Sequence, residues 1–342
     1  MIEKILSYAK KQNASDIHIS ADNPPLIRID GDLMIIPGAP IFTDEQVQKV
    51  IFSLISPQQK EIYLNSFELD FMIQIDDLRF RVNAFKTLSG AAAAFREIPT
   101  EIRDLDMLGA PQVLKSILHA KKGLVLVVGP TGSGKSTTLA AMIDYINTNF
   151  YDHILTIEDP VEFVHKGKRS LINQRSVGSS TLSFSNALRS ALREDPNVIL
   201  VGEMRDKETI NLAITAAETG HLVLGTLHTS SSAQTINRIV DVFPAEDKPA
   251  IRSIISGSLR AVVSQRLLKK VGGGRCAAYE IMIANSSIRN LIREDKIPQI
   301  NSIIELSRKS GMMLMKDSIL SLKESGTISK EIAEESLIAF EN

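Results

Sequence analysis

The decapeptide GPTGSGKSTT, residues 129–138, constrains this chain more than any other stretch. It satisfies G-x-x-x-x-G-K-[ST] in full, follows the apolar run LVLVV at 124–128 and leads into the helical pattern STTLAAMIDYI. Glycines at such spacing let the backbone turn so that successive N–H groups converge on phosphate oxygens. A helix starting there adds the positive end of its dipole. Gly129, Pro130, Thr131, Gly132, Ser133, Gly134, Lys135, Ser136 and Thr137 are therefore the expected phosphate-binding residues. Lys135 has the reach for β- and γ-phosphates, and the Ser136 hydroxyl suits Mg2+. The rival reading, a glycine-rich turn with an incidental lysine, accounts for neither the spacing nor the strand–loop–helix setting. The chain is expected to bind a nucleoside triphosphate.

From residue 112 onward, short apolar runs alternate with helical segments: GLVLVVG, HILTIED, NVILVGE and HLVLGTLH. Strands with no polar face belong to a parallel sheet covered on both sides by helices. Ligands in such folds lie beyond the carboxyl ends of the strands, so the residues at those ends matter most. VILVGE delivers Glu203, a candidate for orienting or deprotonating an attacking water. Its rival role is a simple pair with Arg205. TIEDPVEF places Glu158, Asp159 and Glu162 at a second strand end, suited to positioning metal or water. Glu162 reads equally well as an exposed loop charge. His228 ends the fourth strand, where it can sense or donate to a γ-phosphate, while His221 begins that strand and stands farther away. After about residue 245 the pattern is mainly helical, with VGGGR at 271–275 marking a turn.

The first hundred residues read as mixed α/β. IEKILSYAKK is an amphipathic helix with Ile2, Ile5, Leu6 and Ala9 on one face. SDIHIS alternates, PPLIRIDGDL carries an Asp30–Gly31 turn signal, and two helical segments cover about 44–65. FELDFMIQI, LRFRVNAF and AAAAFREI follow as strands of a small sheet with helices on one face. Alternation puts Arg79 and Arg81 on one face of their strand, and Arg96 follows on the next. This arginine patch suits a triphosphate held by an adjacent subunit, and serves equally as a solvated sheet face. Arg189, Arg193 and Arg205 lie nearer the glycine loop in sequence. Pro99 and the Gly109-Ala-Pro111 break bound a linker, giving domains at 1–98 and 112–342 joined by 99–111. Pro111 is placed to open the next helix.

Composition narrows the class. A chain of 342 residues with 44% apolar and 23% charged residues is a soluble two-domain protein. It has no leader-like apolar core after its N-terminal charges, so a cytoplasmic location is expected. One cysteine excludes an internal disulfide and a cysteine-rich zinc site. A net charge of −1, no tryptophan and 5% aromatic residues argue against a nucleic-acid translocase, which needs a basic channel or stacking aromatics.

Four stretches in this order, GPTGSGKSTT, TIEDPVEF, ALREDPNVILVGEMRD and TAAETGHLVLGTLHT, resemble the secretion and pilus ATPases of type II and type IV systems. Within that superfamily the chain is most similar to the twitching-motility, or pilus-retraction, ATPases, from SDIHIS through RFRVNAF to SIRNLIRED. The resemblance implies an α/β chain with an N-terminal PAS-like domain and a C-terminal RecA-like P-loop domain with a helical C-terminal part. It implies a homohexameric ring that binds ATP and Mg2+ and couples hydrolysis to rigid-body domain motion. It implies pilin removal at the cytoplasmic face of the inner membrane, through a membrane platform protein, with no nucleic-acid partner. By the same carry-over Glu203 is the catalytic glutamate, and Glu158, Asp159 and Glu162 form an acidic box with Asp159 near the metal. His221 and His228 form a histidine box, Arg79, Arg81 and Arg96 the arginine-bearing strands, and SIRNLIRE a C-terminal motif tied to retraction. Assembly or type II secretion ATPases are the alternative; they carry a long N-terminal extension and a four-cysteine zinc site, which this sequence lacks. Ser287, Ser176 and Ser180 depart from the family pattern, which has alanine at the first position and acidic residues at the other two.

Overall fold

The structure is a computed structural model that describes residues 2–29, 31–76, 78–98 and 101–341. Asp30 of the expected turn and Pro99 of the expected linker lie outside the described residues. The chain divides into two compact units, Met1–Glu101 and Ile102–Asn342.

In the first unit the elements run α1 (Ile2–Lys11), β1 (Asp16–Ser20), β2 (Leu26–Ile29), β3 (Asp32–Ile35), α2 (Asp44–Leu54), α3 (Pro57–Ser66), β4 (Glu68–Ile75), β5 (Leu78–Thr87) and β6 (Gly90–Ile98). The strands form an antiparallel sheet in the order β3-β2-β1-β6-β5-β4. Strict alternation drives it. Ile17 and Ile19, Phe80, Val82 and Ala84, and Ala93 and Phe95 share the face that packs on Leu6, Val47 and Ile51 of the helices. Each fully buried phenylalanine there contributes about 1.5–3 kcal/mol. Thr43 and Ser56 start α2 and α3 with reciprocal capping boxes to Gln46 and Gln59.

The second unit contains α4 (Val113–Ile117), β7 (Gly123–Val128), α5 (Lys135–Asn149), β8 (His153–Glu158), β9 (Leu171–Ser176), α6 (Phe184–Ala191), β10 (Val198–Val201), α7 (Lys207–Glu218), β11 (Leu222–Leu227), α8 (Ser232–Asp241) and α9 (Lys248–Ser258). Then follow β12 (Leu259–Lys269), β13 (Arg275–Ile283), α10 (Ser286–Arg293), α11 (Ile300–Leu306), α12 (Met315–Glu324) and α13 (Lys330–Glu341). The sheet order is β13-β12-β7-β11-β10-β8-β9, parallel except for β13. Strands β7, β10 and β11 are buried along their whole length, as their unbroken apolar runs require.

Three differences from the sequence reading stand out. The stretch after residue 245 is mainly helical but interrupted: residues 259–283 form a long hairpin whose first strand extends the sheet beside β7. Its turn is the VGGGR segment. Leu105 and Ala110, inside the stretch read as a linker, are buried in the core with Leu114 and Val125. Finally, α4 begins at Val113 with Gln112 as its N-cap, so Pro111 precedes the helix instead of opening it.

Candidate nucleotide site

The glycine loop joins β7 to α5 as the sequence predicts. Gly129 has φ +151°, and a Cβ built there would sit 2.4 Å from the Gln265 carbonyl and 2.6 Å from the Ser133 hydroxyl. No other residue fits. Pro130, Thr131, Gly132 and Ser136 are exposed, Gly134, Lys135 and Thr137 half-buried, and Ser133 buried. The Lys135 ammonium donates to the carbonyls of Gly129 at 2.7 Å and Pro130 at 3.1 Å. Burial pulls its pKa down, while the charges of Glu203 and Glu162 oppose that shift. Those two carboxylates therefore bear on the same ammonium.

Strand β10 supplies Glu203 by way of a glycine with a steric reason. Gly202 N–H donates to the Ile157 carbonyl at 2.7 Å, and a Cβ on Gly202 would lie 3.1 Å from that oxygen and 3.2 Å from Glu158 Cα. A side chain at this position would press tightly on the neighbouring strand, and the carboxylate appears one residue later. Glu203 Oε1 accepts from Arg205 Nε at 2.6 Å and lies 3.3 Å from His228 Nε2. Burial alone would push this carboxyl up. The hydrogen bond and charge of Arg205, with the charges of His228 and Lys135, outweigh burial and hold it below the ordinary carboxylate value. Asp206, next along, caps α7 by accepting from Thr209 N–H at 2.9 Å.

Strand β8 ends differently. Glu158 accepts from the Thr156 hydroxyl at 2.7 Å, from Gln174 Nε2 at 3.4 Å and from the Glu162 N–H at 3.4 Å. Burial pushes its carboxyl up. Asp159 is exposed, and its charge acts on Arg205. The structure thus brings Lys135, Glu203, Arg205, His228 and Glu162 into one electrostatic neighbourhood. His221 is not part of it: its ring nitrogen pairs with the Ala216 carbonyl at 3.0 Å, at the far end of β11. Arg189 pairs with Glu208.

Arg79, Arg81 and Arg96 belong to the first unit. Arg81 and Arg96 stand directly opposite each other on β5 and β6. Arg96 pairs with Asp16 at 2.8 Å, and Arg81 lies 3.8 Å from Asp70. Among the described residues no group of three or more His, Cys, Asp or Glu could hold a metal ion by itself. A cation here would need oxygens from a bound nucleotide, which suits Mg2+, a metal usually held by one or two protein groups together with phosphates.

The site also contains residues that sequence reasoning missed. Ser264 and Gln265 of β12 face opposite sides of the sheet. Ser264 donates to the Ser230 carbonyl at 2.8 Å. Its cross-strand partner Glu280 accepts from the Ser232 N–H at 2.7 Å. Both hold the loop that carries His228. Gln265 reaches the phosphate loop. The available signal was the polar cluster Ser264-Gln265-Arg266 inside the largely apolar run LRAVVSQRLL.

With this geometry in place, similarity to known proteins is informative. The family described as type II/IV secretion system protein matches residues 1–334. The type IV pilus retraction ATPase PilT of Pseudomonas aeruginosa is 54% identical over 335 residues, covering 98% of this chain and 97% of that protein. A twitching motility protein of Neisseria gonorrhoeae is 56% identical over 311 residues, 90% of this chain and 83% of its own length. A crystal structure of the pilus retraction motor PilT with bound ADP superposes with a TM-score of 0.88 at 47% identity. It covers 97% of this chain and 95% of that one.

Proposed function

This chain belongs to the type II/IV secretion system protein family, and from that premise we propose that it is the ATP-hydrolysing motor of pilus retraction and twitching motility. The observation that carries the chemistry is a single carboxylate. Glu203 lies between Arg205 and His228, at a strand end beside the phosphate loop, and is held in its charged form. The likeness to PilT, which extends over nearly the whole of both chains, supports the choice of retraction.

In this reading, residues 129–137 take the phosphates of ATP through backbone N–H groups, and Lys135 exchanges its loop carbonyls for phosphate oxygens. Glu203 orients the attacking water and accepts its proton, a contribution typically worth ~10²–10⁴ in rate. His228, beside Glu203, donates toward the γ-phosphate. Glu158 and Glu162 hold the shape of the acidic loop, joined by the Glu162 N–H bond to the Glu158 carboxylate. Ser136 and Asp159 are the residues that would hold Mg2+, which would neutralise developing phosphate charge. Arg79, Arg81 and Arg96 would reach a triphosphate bound by the next subunit of a homohexamer. No helix among the described residues is long and apolar enough to cross a membrane, which suits a motor that works from the cytoplasmic face of the inner membrane through a platform protein and pilin. Nucleic acid has no part in it.

The test is a count of surface pili, together with surface motility, in cells lacking this gene. Abundant pili without motility is the expected result. Cells with no pili would overturn retraction in favour of assembly and leave the ATPase chemistry intact.

A further inference from the structure

Gln265 is 2% exposed, and both ends of its amide are engaged. Nε2 donates to the Ser133 carbonyl at 2.8 Å, and Oε1 accepts from the Thr138 hydroxyl at 2.7 Å. Thr138 stands in the first turn of α5, where its own N–H donates to the Gly134 carbonyl. One side chain therefore grips both the far end of the phosphate loop and the helix it leads into. The residue's backbone carbonyl also faces Gly129, at the near end of the loop. The Ser133 hydroxyl itself is buried without a hydrogen-bond partner among the described residues.

The bond to Ser133 has a directional consequence. A trans peptide points its C=O and N–H in opposite directions. The Ser133 carbonyl and the Gly134 N–H belong to one peptide unit. With the carbonyl drawn toward β12, the N–H is turned away from it. We propose that Gln265 is a positioning residue for phosphate binding: it fixes the Ser133–Gly134 peptide so that its N–H is presented to the nucleotide. Only an amide does this at that place. It donates to a carbonyl and accepts from a hydroxyl at once, whereas a carboxylate only accepts and an alkyl group does neither. The strand that carries Gln265 lies 127 residues beyond Thr138 in sequence, so the loop motif by itself does not specify its own active shape.

The inference rests on the nucleotide reading of the loop, and the experiment separates the two. The purified full chain and its Gln265→Leu, Gln265→Glu and Thr138→Val variants are compared by steady-state ATPase kinetics, by titration with fluorescently labelled ADP, and by thermal melting. Gln265→Leu and Gln265→Glu should raise both KM for ATP and Kd for ADP roughly 10- to 100-fold, the loss expected for a hydrogen bond to a charged group. Their kcat at saturating ATP should stay within about threefold of wild type, the pattern of an interaction made equally in ground and transition states. Thr138→Val leaves Gln265 in place but frees one end of its amide, so KM should rise by a smaller factor, roughly threefold. Variants that melt earlier yet bind ADP with wild-type Kd would reduce Gln265 to a packing role and overturn the proposal, as would a fall in kcat at unchanged KM. A wild-type chain that binds no ADP would overturn the nucleotide reading and this proposal with it.

Discussion

Strands β8 and β10 are hydrogen-bonded neighbours, with Ile157 beside Val201, and each delivers a glutamate at its carboxyl end. Glu158 is surrounded by donors from its own strand and loop and from the neighbouring β9, and burial pushes its carboxyl up toward the neutral acid. Glu203 keeps a side-chain exposure of 21%, meets a guanidinium and an imidazole, and is held charged. Position at a strand end is therefore not enough to make a base. The partner set decides it: hydroxyl and amide donors anchor one carboxyl in place, while cations beside a half-open site keep the other ready to take a proton.

The largest test of this contrast is Glu203→Gln, expected to lower kcat by ~10²–10⁴ while ADP affinity is kept. Turnover near wild type would move the base to Glu158 or Glu162. Removing Arg205 sharpens the comparison. A group held below its ordinary pKa stays deprotonated to lower pH, and Arg205→Ala removes the main influence holding Glu203 there. The acid limb of the kcat profile should then move to higher pH; an unmoved limb would dissociate Arg205 from the base. Glu158→Gln imitates the neutral acid that burial favours, so kcat should remain within about threefold and the melting temperature should change little. A collapse of turnover in that variant would erase the distinction between the two strand ends. The smallest effect belongs to His221→Ala, which loses one bond to the Ala216 carbonyl. It should cost about 1 kcal/mol in denaturant unfolding and leave kcat untouched.

Much of the site could be read from the sequence because its information is local. The glycine loop sits between a strand and a helix that are its immediate neighbours in the chain, and Glu203, Glu158 and His228 follow runs whose apolar character already marks a buried parallel strand. His221 and His228 could be separated simply by the end of the strand each occupies. The hairpin was not legible. LRAVVSQRLLK has no period-2 alternation, since β12 is largely buried on both faces, and without that period a short segment does not tell strand from helix. Its partner β7 lies more than a hundred residues earlier, so nothing adjacent in sequence announces the pairing. The places of Gln265 and Glu280 in the site were not legible for that reason. Glu203 was legible as a charge, but the close approach of β8 at Gly202 just before it is something that only the fold supplies.

The hairpin has one more consequence. Ser264 and Gln265 are consecutive, and consecutive strand residues point to opposite faces. A slip of β12 by a single residue against β7 would exchange those faces. Gln265 would leave the phosphate loop in the same step as Ser264 left the histidine loop. Neither half of the nucleotide site can be mis-set alone by such an error, and the run of cross-strand pairs from Ala261–Val125 to Ser264–Val128 stands against it. Correct pairing of this late segment is thus a proofreading condition on the whole site: a chain that mispairs there loses both loops together and cannot persist as a half-active motor.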